Sequence, residues 1–212
     1  MILLEGERLE DIGSGLKIIQ NKEYYRFSED SVLLVHFIGF HPGDSILDLG
    51  TGSGIIPLLL IQRENNLKIT GIEIQKELAY MAQRSIEYNN FEKSISIIQG
   101  DLRDSARLFG NKKWDRVVTN PPYFRVNEGR VSPKENIAIA RHEIKCTLEE
   151  IIETASSLLK AQGSFYIVHR YDRLLEILLL CRKNGLFPTR EQPISAQVKK
   201  SPHLILVECR KT

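Results

Sequence analysis

The tetrapeptide Asn120-Pro121-Pro122-Tyr123 contains the residue types best suited to chemistry on a flat, nitrogen-containing group. It follows an apolar run at 114–119 that has the composition of a buried strand. The Asn120 side-chain oxygen and the Pro121 carbonyl oxygen can each accept a hydrogen from an amino group, which stabilises positive charge developing on that nitrogen. Pro121 has a fixed φ and restricts Asn120 to extended conformations, so both acceptors are held in place. We therefore predict that Asn120 and Pro121 are catalytic and that Tyr123 stacks on the substrate; a turn without function is the alternative.

A glycine-rich segment at the end of an earlier predicted strand has the features of a cofactor site. It reads Asp48-Leu49-Gly50-Thr51-Gly52-Ser53-Gly54. Glycines there let the backbone approach a ligand closely, and the N-terminus of the following helix offers amides to a carboxylate. Asp48 is an acid where an apolar residue would pack better, and a cofactor ammonium group or a bound water would satisfy it. The glycine spacing differs from the dinucleotide fingerprint, and a tight strand-to-helix turn is the alternative interpretation.

Two more acids follow the next two predicted strands. Glu73 comes about twenty residues after the glycines, where an acid can bind both ribose hydroxyls, although an exposed acid at a strand end is the alternative. Asp101 can accept a hydrogen bond from an adenine amino group while the Leu102 amide meets a ring nitrogen, or it can be a helix N-cap. Together with the tetrapeptide, these residues predict methyl transfer from S-adenosylmethionine to an sp2 nitrogen. The predicted cofactor-binding residues are Asp48, Gly50, Thr51, Gly52, Gly54, Glu73, Ile74, Asp101, Leu102 and Asn120.

The apolar pattern predicts the elements that position these residues. Ile- and Val-rich runs alternate with helix-length segments, which predicts an α/β fold with a doubly wound, mostly parallel seven-stranded sheet and helices on both faces. The predicted strands are 45–49, 68–74, 94–98, 114–119, 164–169, 187–194 and 203–209. The predicted helices are 55–63, 75–89, 102–109, 147–160 and 171–184. The last two strands form a hairpin that closes the sheet edge with mixed strand direction.

The segment before the first sheet strand differs from the rest. Gly13-Ser14-Gly15 predicts a hairpin turn, and Ser28 predicts the start of a helix that runs to about Gly39. We predict a single domain over 1–212, in which 1–44 is an N-terminal hairpin and helix appendage and 45–212 is the catalytic core. A long, basic connection separates Phe124 from Cys146, which is typical of a segment that contacts substrate.

Composition and charge limit the class of protein. Of the 212 residues, 42% are hydrophobic, which is enough to form a core, and the net charge of +2 is too small to indicate a nucleic-acid partner by itself. Three cysteines without a C-x-x-C motif indicate reduced thiols, and five histidines without an i,i+4 pair predict no metal site. The N-terminus carries acids, and the longest apolar run, 174–180, is too short to span a bilayer. We therefore predict a cytoplasmic protein that does not bind membranes.

The order of these motifs resembles a known family. Asp48–Gly54, Glu73, Asp101 and Asn120–Tyr123 look like the class I S-adenosylmethionine-dependent methyltransferases of the N-P-P-Y type, over roughly residues 28–170. The whole chain is similar to the bacterial tRNA adenine-N6-methyltransferases that act on adenine 37 of a valine tRNA. That likeness comes from the hairpin, Arg26-Phe27-Ser28-Glu29-Asp30-Ser31, Phe124 after the tetrapeptide, and Arg141-His142-Glu143. It implies a Rossmann-like methyltransferase sheet, S-adenosylmethionine as the cofactor, and a minor role for Phe27, Ser28 and Asp30 in covering the methionine end of the cofactor.

The resemblance also implies a tRNA substrate and suggests residues that bind it. The candidates are Phe124, Arg125, Arg130, Arg141, His142, Lys199 and Lys200. The segment from 182 to 212 has seven Lys or Arg against two Glu, which is compatible with phosphate contact or with a plain solvated face. A lone histidine such as His142 is otherwise more often a solvated loop residue. No obligate protein partner is evident.

Three other functions are less favoured, of which the protein glutamine-N5-methyltransferase and the silent binding module are the alternatives kept. A protein glutamine-N5-methyltransferase acts on a planar amide and fits the same tetrapeptide, but such enzymes usually carry a helical N-terminal domain. DNA adenine methyltransferases commonly add a target-recognition domain, and we expect none in this sequence. A catalytically silent module that binds the cofactor and RNA has no need for both acceptors at Asn120 and Pro121.

Overall fold

Strands and helices alternate along most of the chain, as the apolar runs predict. The computed structural model describes residues 2–195 and 201–212, so the predicted substrate-binding residues Lys199 and Lys200 lie outside the described residues. The strands are β1 (Glu7–Gly13), β2 (Leu16–Asn21), β3 (Ser45–Leu49), β4 (Lys68–Glu73), β5 (Ile95–Gln99), β6 (Trp114–Thr119), β7 (Leu159–Arg170), β8 (Leu186–Ile194) and β9 (Leu204–Lys211). The helices are α1 (Glu29–Phe37), α2 (Ile55–Arg63), α3 (Lys76–Tyr88), α4 (Ser105–Phe109), α5 (Glu135–Arg141), α6 (Leu148–Leu158) and α7 (Leu174–Lys183), and short 3-10 helices lie at Leu102–Asp104 and Tyr171–Arg173.

Within the described residues, seven strands form one sheet, here called the main sheet. Its strand order is β5-β4-β3-β6-β7-β9-β8. The five strands from β3 to β7 are parallel, whereas β9 runs antiparallel to both of its neighbours. The prediction of a doubly wound, mostly parallel sheet with a mixed final pair is confirmed. Strand order reverses between β3 and β6, and the carboxyl ends of the parallel strands meet there at one edge of the sheet.

Helices cover both faces of the main sheet because side chains alternate along each strand. In β3, Ile46 belongs to an apolar cluster that includes α1 and α2, while Leu47 belongs to a second cluster that includes α6 and α7. The middle of β7 is buried on both faces, since neither Phe165 nor Tyr166 is more than 2% exposed. Such burial on both faces is typical of the central strands of a parallel sheet.

The predicted N-terminal hairpin is confirmed, and it packs on α3. β1 and β2 pair with each other in a separate two-stranded sheet. The Ser85 hydroxyl of α3 accepts the Ile19 amide at 2.9 Å, and the Asn89 side-chain amide donates to the Lys17 carbonyl at 2.7 Å. These bonds satisfy backbone groups on β2, the hairpin strand that packs against α3, which would otherwise be left without partners near the core.

The two C-terminal strands do not join the main sheet in the order of the chain. β9 inserts between β7 and β8, so the earlier strand, β8, takes the edge of the main sheet. Leu204 to Val207 are all buried, whereas 189–193 in β8 are exposed. The more apolar strand therefore lies inside, where both of its faces are covered.

The connection between β6 and α6 contains a helix that the sequence pattern does not reveal. α5 occupies Glu135–Arg141, a segment too short to show a clear 3.6-residue period. Its two ends are fixed by tertiary contacts. The Phe124 amide donates to the Arg141 carbonyl at 3.0 Å, and the Asn136 side-chain amide donates to the Glu23 carbonyl at 2.9 Å.

Candidate active site

The carboxyl ends of the central strands border a cleft with an empty volume of about 990 Å³. The sequence-predicted residues that line the cleft are Gly50, Thr51, Gly52, Glu73, Ile74, Asp101, Leu102, Asn120 and Pro121. Four others, Ser28, Asp48, Gly54 and Tyr123, are not among its lining residues. The motifs thus converge on one cleft, although some of their members lie behind its wall.

Glu73 joins the glycine-rich segment to the end of β4. Its two carboxylate oxygens accept the Gly52 amide at 2.9 Å and the Gln75 amide at 2.8 Å. Gly52 has a φ of +57°, and a Cβ added there would meet no atom within 4 Å, so open space lies beside the backbone. Burial raises the pKa of Glu73, and the backbone amides of Gln75, Gly52 and Ile74 oppose that rise. Each carboxylate oxygen keeps a further lone pair, which suits Glu73 to accept hydroxyl donors from a ligand.

Asp48, the penultimate residue of β3, carries a fully buried carboxyl group. Neither of its oxygens has a hydrogen-bond partner among the described residues, and the same is true of the buried Thr51 hydroxyl. Burial raises the pKa of Asp48 to about 7, the nearby Thr51 hydroxyl opposes the rise, and the charge of Glu73 adds to it. Buried polar atoms without partners are uncommon because they cost free energy. The Asp48 and Thr51 oxygens therefore mark a place that fits a donor group of a ligand or a water.

Asp101 caps the 3-10 helix after β5 and also lines the cleft. Its carboxylate accepts the Arg103 amide at 2.9 Å and pairs with the Arg103 guanidinium at 2.6 Å. This hydrogen bond to Arg103 is the main reason why the pKa of Asp101 is lowered. The N-cap interpretation of Asp101 is thus confirmed, and contact with an adenine stays a prediction.

Two other predicted cofactor-binding residues, Gly54 and Ser28, lie directly before helices α2 and α1. Gly54 precedes α2, and a Cβ added there would lie 3.1 Å from the Ala82 Cβ, so it packs against α3. Ser28 precedes α1 in an extended conformation, as an N-cap residue does, and its buried hydroxyl has no partner among the described residues. Direct contact of either residue with a cofactor stays a prediction.

The tetrapeptide at the end of β6 is held by the first turn of α1. The Asn120 side-chain amide donates to the Ser31 hydroxyl at 2.9 Å, and the Tyr123 hydroxyl donates to the Asp30 carboxylate at 2.9 Å. In the part of the chain that the structure describes, no hydrogen bond uses the Asn120 side-chain oxygen. That oxygen is therefore available as an acceptor at the cleft wall.

The aromatic ring of Tyr123 packs on a buried histidine. The Tyr123 and His169 ring centroids are 5.0 Å apart, and His169 Nδ1 accepts the Arg170 amide at 2.8 Å. Burial, followed by the positive charge of Arg173, lowers the pKa of His169 to about 3. The imidazole is therefore neutral at physiological pH, and it supports the Tyr123 ring from behind.

The predicted RNA-binding residues cluster around Phe124. The guanidinium groups of Arg141 and Arg170 lie 5.6 and 5.0 Å from the centroid of the Phe124 ring. His142 is only 2% exposed, its ring lies 5.5 Å from the Phe124 ring, and its Nε2 lies 3.1 Å from the Glu128 carbonyl oxygen. His142 thus supports Phe124 from below the surface.

The predicted arginines near Phe124 differ in whether they form an ion pair or face a groove. Arg125 binds Glu176 of α7 at 2.8 Å. Arg130 is exposed, and together with Arg141 it lines a groove of about 790 Å³ whose wall includes Phe124. Arg130 and Arg141 are therefore the predicted residues best placed to meet an anionic ligand.

Several cleft residues were missed by sequence reasoning. Tyr25, Ser31, Ile139 and Lys145 all line the cleft. Tyr25 lies between the hairpin and α1, two positions before Phe27. The closeness of two aromatic residues there was the sequence feature that could have indicated Tyr25 as a site residue. Ser31 ends the Arg26–Ser31 motif on which the resemblance rests, but no local pattern indicates its bond to Asn120, because the two residues are 89 positions apart. Ile139 belongs to α5, the helix that the pattern did not reveal.

Comparison with known proteins defines the class. The sequence profile of the family described as "Methyltransferase small domain" matches residues 25–180. The chain therefore belongs to the methyltransferase small domain family, and the resemblance stated from its motifs is confirmed. The chain is 36% identical over 191 residues to a protein of Porphyromonas gingivalis named tRNA1(Val) (adenine(37)-N6)-methyltransferase. That alignment covers 87% of this chain and 74% of the relative.

Solved structures agree on the fold. A predicted O-methyltransferase of Agrobacterium tumefaciens superposes with a TM-score of 0.65 at 22% identity, covering 86% of this chain and 80% of the other. A geranyl diphosphate C-methyltransferase of Streptomyces coelicolor, solved with Mg²⁺, geranyl diphosphate and S-adenosyl-L-homocysteine, gives a TM-score of 0.63 at 13% identity. It covers 86% of this chain and 78% of that protein. The Rossmann-like methyltransferase sheet is thus confirmed.

Neither a membrane-crossing helix nor a metal-binding cluster occurs in 2–195 and 201–212. The helices there are too short or too polar to cross a bilayer. No group of three or more His, Cys, Asp or Glu side chains is arranged there to hold a metal ion.

Proposed function

We propose that this protein transfers a methyl group from S-adenosylmethionine to the exocyclic N6 of adenine 37 in a valine tRNA. The observation that carries the proposal is the position of Asn120, whose side-chain oxygen is available at the wall of the cleft beside Pro121. The name of the Porphyromonas gingivalis relative supports the choice of tRNA and of the adenine. The methyltransferase small domain family supports the reaction type.

The residues around the cleft fit S-adenosylmethionine. The Asp48 oxygens, buried and without a partner among the described residues, suit the ammonium group of the cofactor or a water that it holds. Glu73 suits a pair of ribose hydroxyls, and the open space beside Gly52 leaves room for the ligand. S-adenosylmethionine, when bound, supplies a methyl group activated by a positively charged sulfur.

The tetrapeptide makes the adenine amino group a better nucleophile. The lone pair of that nitrogen is delocalised into the ring, which lowers its reactivity. The Asn120 side-chain oxygen and the Pro121 carbonyl oxygen each accept one amino hydrogen, which favours the positive charge that develops on nitrogen. Tyr123 stacks on the base and fixes its orientation. The methylated amine then loses its proton readily, so no general base is needed before attack.

The surface around Phe124 supports a tRNA substrate. Phe124 offers a face for a splayed base, and the exposed Arg130 and Arg141 suit phosphate groups. A tRNA substrate also favours a cytoplasmic location. We further propose that 1–212 acts as one catalytic domain, because the hairpin is hydrogen-bonded to α3 through Ser85 and Asn89.

One assay tests the substrate. The protein is incubated with labelled S-adenosylmethionine and either bulk tRNA or a peptide release factor, and the products are digested to identify the modified unit. We expect N6-methyladenosine from tRNA, no label in release factor, and loss of label in a valine tRNA transcript with guanine at position 37. Methylated glutamine would favour the protein substrate, and no transfer to either would favour the silent binding module.

A further inference from the structure

Two consecutive residues of α1 bind the two ends of the Asn120–Tyr123 tetrapeptide. Ser31 accepts a hydrogen bond from the Asn120 side-chain nitrogen, and Asp30 accepts one from the Tyr123 hydroxyl, both at 2.9 Å. About ninety residues of chain separate α1 from the tetrapeptide, so these bonds form only in the folded state. The first turn of α1 therefore forms one structural unit with the residues that face the substrate.

In the orientation that the structure shows, the bond to Ser31 uses the nitrogen end of the Asn120 amide and leaves its oxygen without a partner among the described residues. A carboxamide has an NH2 group that only donates and an oxygen that only accepts. With the nitrogen bound to Ser31, the oxygen remains to accept a hydrogen from the target amine. The opposite orientation would present two N–H donors to an amino group that itself has to donate, which does not stabilise its developing charge.

Ser31 is well placed to hold that orientation. It is 3% exposed, so water does not compete readily for the Asn120 nitrogen. It lies in the first turn of α1, whose other end is packed in the core through Leu34 and Phe37. A residue on a rigid, packed element positions its partner more accurately than one on a loop.

We propose that Ser31 is a positioning residue for methyl transfer, which holds the Asn120 amide with its oxygen toward the substrate nitrogen. This inference rests on the proposed function, since it gives Ser31 a role only through Asn120. Ser31 also lines the cleft, so the test has to separate an effect on Asn120 from an effect on cofactor binding.

The test compares single-turnover methylation rates of Ser31→Ala and Ser31→Thr with that of the unmodified protein. Ala removes the acceptor, and because a misplacement of about 1 Å can cost about 10²-fold in rate, we expect a loss of about 10-fold. The dissociation constants for S-adenosyl-homocysteine, by calorimetry, and for tRNA are expected to stay the same. Thr keeps the hydroxyl, and we expect it to retain most of the rate. As a matched control, Ser156→Ala removes a hydroxyl that donates to the Asn184 carbonyl between α6 and α7, and we expect no change in rate.

A double mutant distinguishes positioning from a general structural effect. If Ser31 acts through Asn120, adding Ser31→Ala to Asn120→Ala should cause no further loss, because groups that act as a unit are not additive. Additive losses, a Ser31→Ala rate equal to that of the unmodified protein, a Ser31→Thr rate no better than that of Ala, or a loss explained by weaker cofactor binding would each overturn the inference. The proposed function fails separately: full activity of Asn120→Ala contradicts it, whereas a slow Asn120→Ala beside a fast Ser31→Ala contradicts this inference alone.

Discussion

The Tyr123 hydroxyl donates a hydrogen bond of 2.9 Å to the Asp30 carboxylate, although 93 positions separate the two residues in the sequence. The Tyr123 ring also packs on His169, so α1 and β7 together set its position. Burial, together with the nearby Asp30 charge, raises the pKa of Tyr123, which keeps its hydroxyl protonated as a donor. The aromatic residue of the tetrapeptide is thus fixed from two sides before any substrate binds.

Replacing Tyr123 should separate the role of its hydroxyl from that of its ring. In Tyr123→Phe, Asp30 loses its donor, and we expect the free energy of unfolding to fall by about 1–3 kcal/mol with little change in methyl transfer. Tyr123→Ala also removes the ring, and we expect a further loss of turnover of about 10-fold, the size of one base-stacking contact. Urea unfolding and single-turnover rates measure the two effects. Equal rates for the Phe and Ala variants would show that the ring does not contact the substrate.

Asn120→Ala should remove catalysis while leaving cofactor binding largely intact. We expect methyl transfer to fall by about 10²-fold or more, as is typical when one charge-stabilising group is lost. Calorimetry with S-adenosyl-homocysteine measures binding, and labelled methyl transfer to tRNA measures the rate. Near-normal turnover would contradict the mechanism assigned to the tetrapeptide.

Gly71→Ala should disturb the glycine-rich segment from the neighbouring strand. A Cβ at Gly71 would lie 2.8 Å from Thr51 Oγ1 and 2.8 Å from the Ile97 Cδ1, which is closer than such atoms pack. We expect a loss of about 1–3 kcal/mol in the free energy of unfolding, as for other overpacked sites, together with weaker binding of S-adenosyl-homocysteine. Gly39→Ala is the matched control, because its Cβ would meet only the Tyr166 hydroxyl at 3.5 Å. A stable, tightly binding Gly71→Ala would show that Thr51 moves freely.

Asp48 should make the stability of the cofactor-free protein depend on pH. Its pKa is raised from 3.8 to about 7 by burial, so the folded state holds this proton more tightly than the unfolded chain does. The stabilisation is complete below about pH 4 and is lost as the pH rises through about 7. Asp48→Asn cannot ionise, so its free energy of unfolding relative to the unmodified protein should increase across that window by on the order of a few kcal/mol.

Urea unfolding of both proteins from pH 4 to pH 8 measures this difference. His169, whose pKa burial lowers to about 3, gives a pH dependence of opposite sign, but it is present in both proteins and cancels from the comparison. A difference that stays constant with pH would show that Asp48 is ionised in the folded state throughout.

Arg141 should contribute to tRNA binding through phosphate contact. We expect binding to weaken steeply with added salt, and Arg141→Gln to lower affinity and reduce the salt slope by about 1. Lys93→Gln is the control, since Lys93 precedes β5 at the edge of the sheet opposite the cleft. Fluorescence anisotropy with labelled tRNA at several salt concentrations gives both slopes. A flat salt response of the unmodified protein would indicate a different substrate.

The order of the motifs allowed the fold and the cleft to be predicted from sequence. Each motif follows an apolar run, and parallel strands bring their carboxyl ends to one edge of the sheet. The residues expected to meet at that edge, and found there, are Gly52, Glu73, Asp101 and Asn120. This inference needs only local patterns and the topology rules for α/β sheets. The short helix α5 could not be predicted in this way, because its seven residues show too little periodicity.

What the tertiary structure alone decided is the set of partners behind the motifs. The sequence indicated that Asn120 has two polar ends, that Tyr123 carries a ring and a hydroxyl, and that Asp48 is an unusual acid for a strand. It did not indicate that Ser31 binds the Asn120 nitrogen or that Asp30 binds the Tyr123 hydroxyl, because hydrogen bonds between residues about ninety positions apart leave no local pattern. Their geometry arises from the packing of α1 on the main sheet, and packing depends on the whole chain.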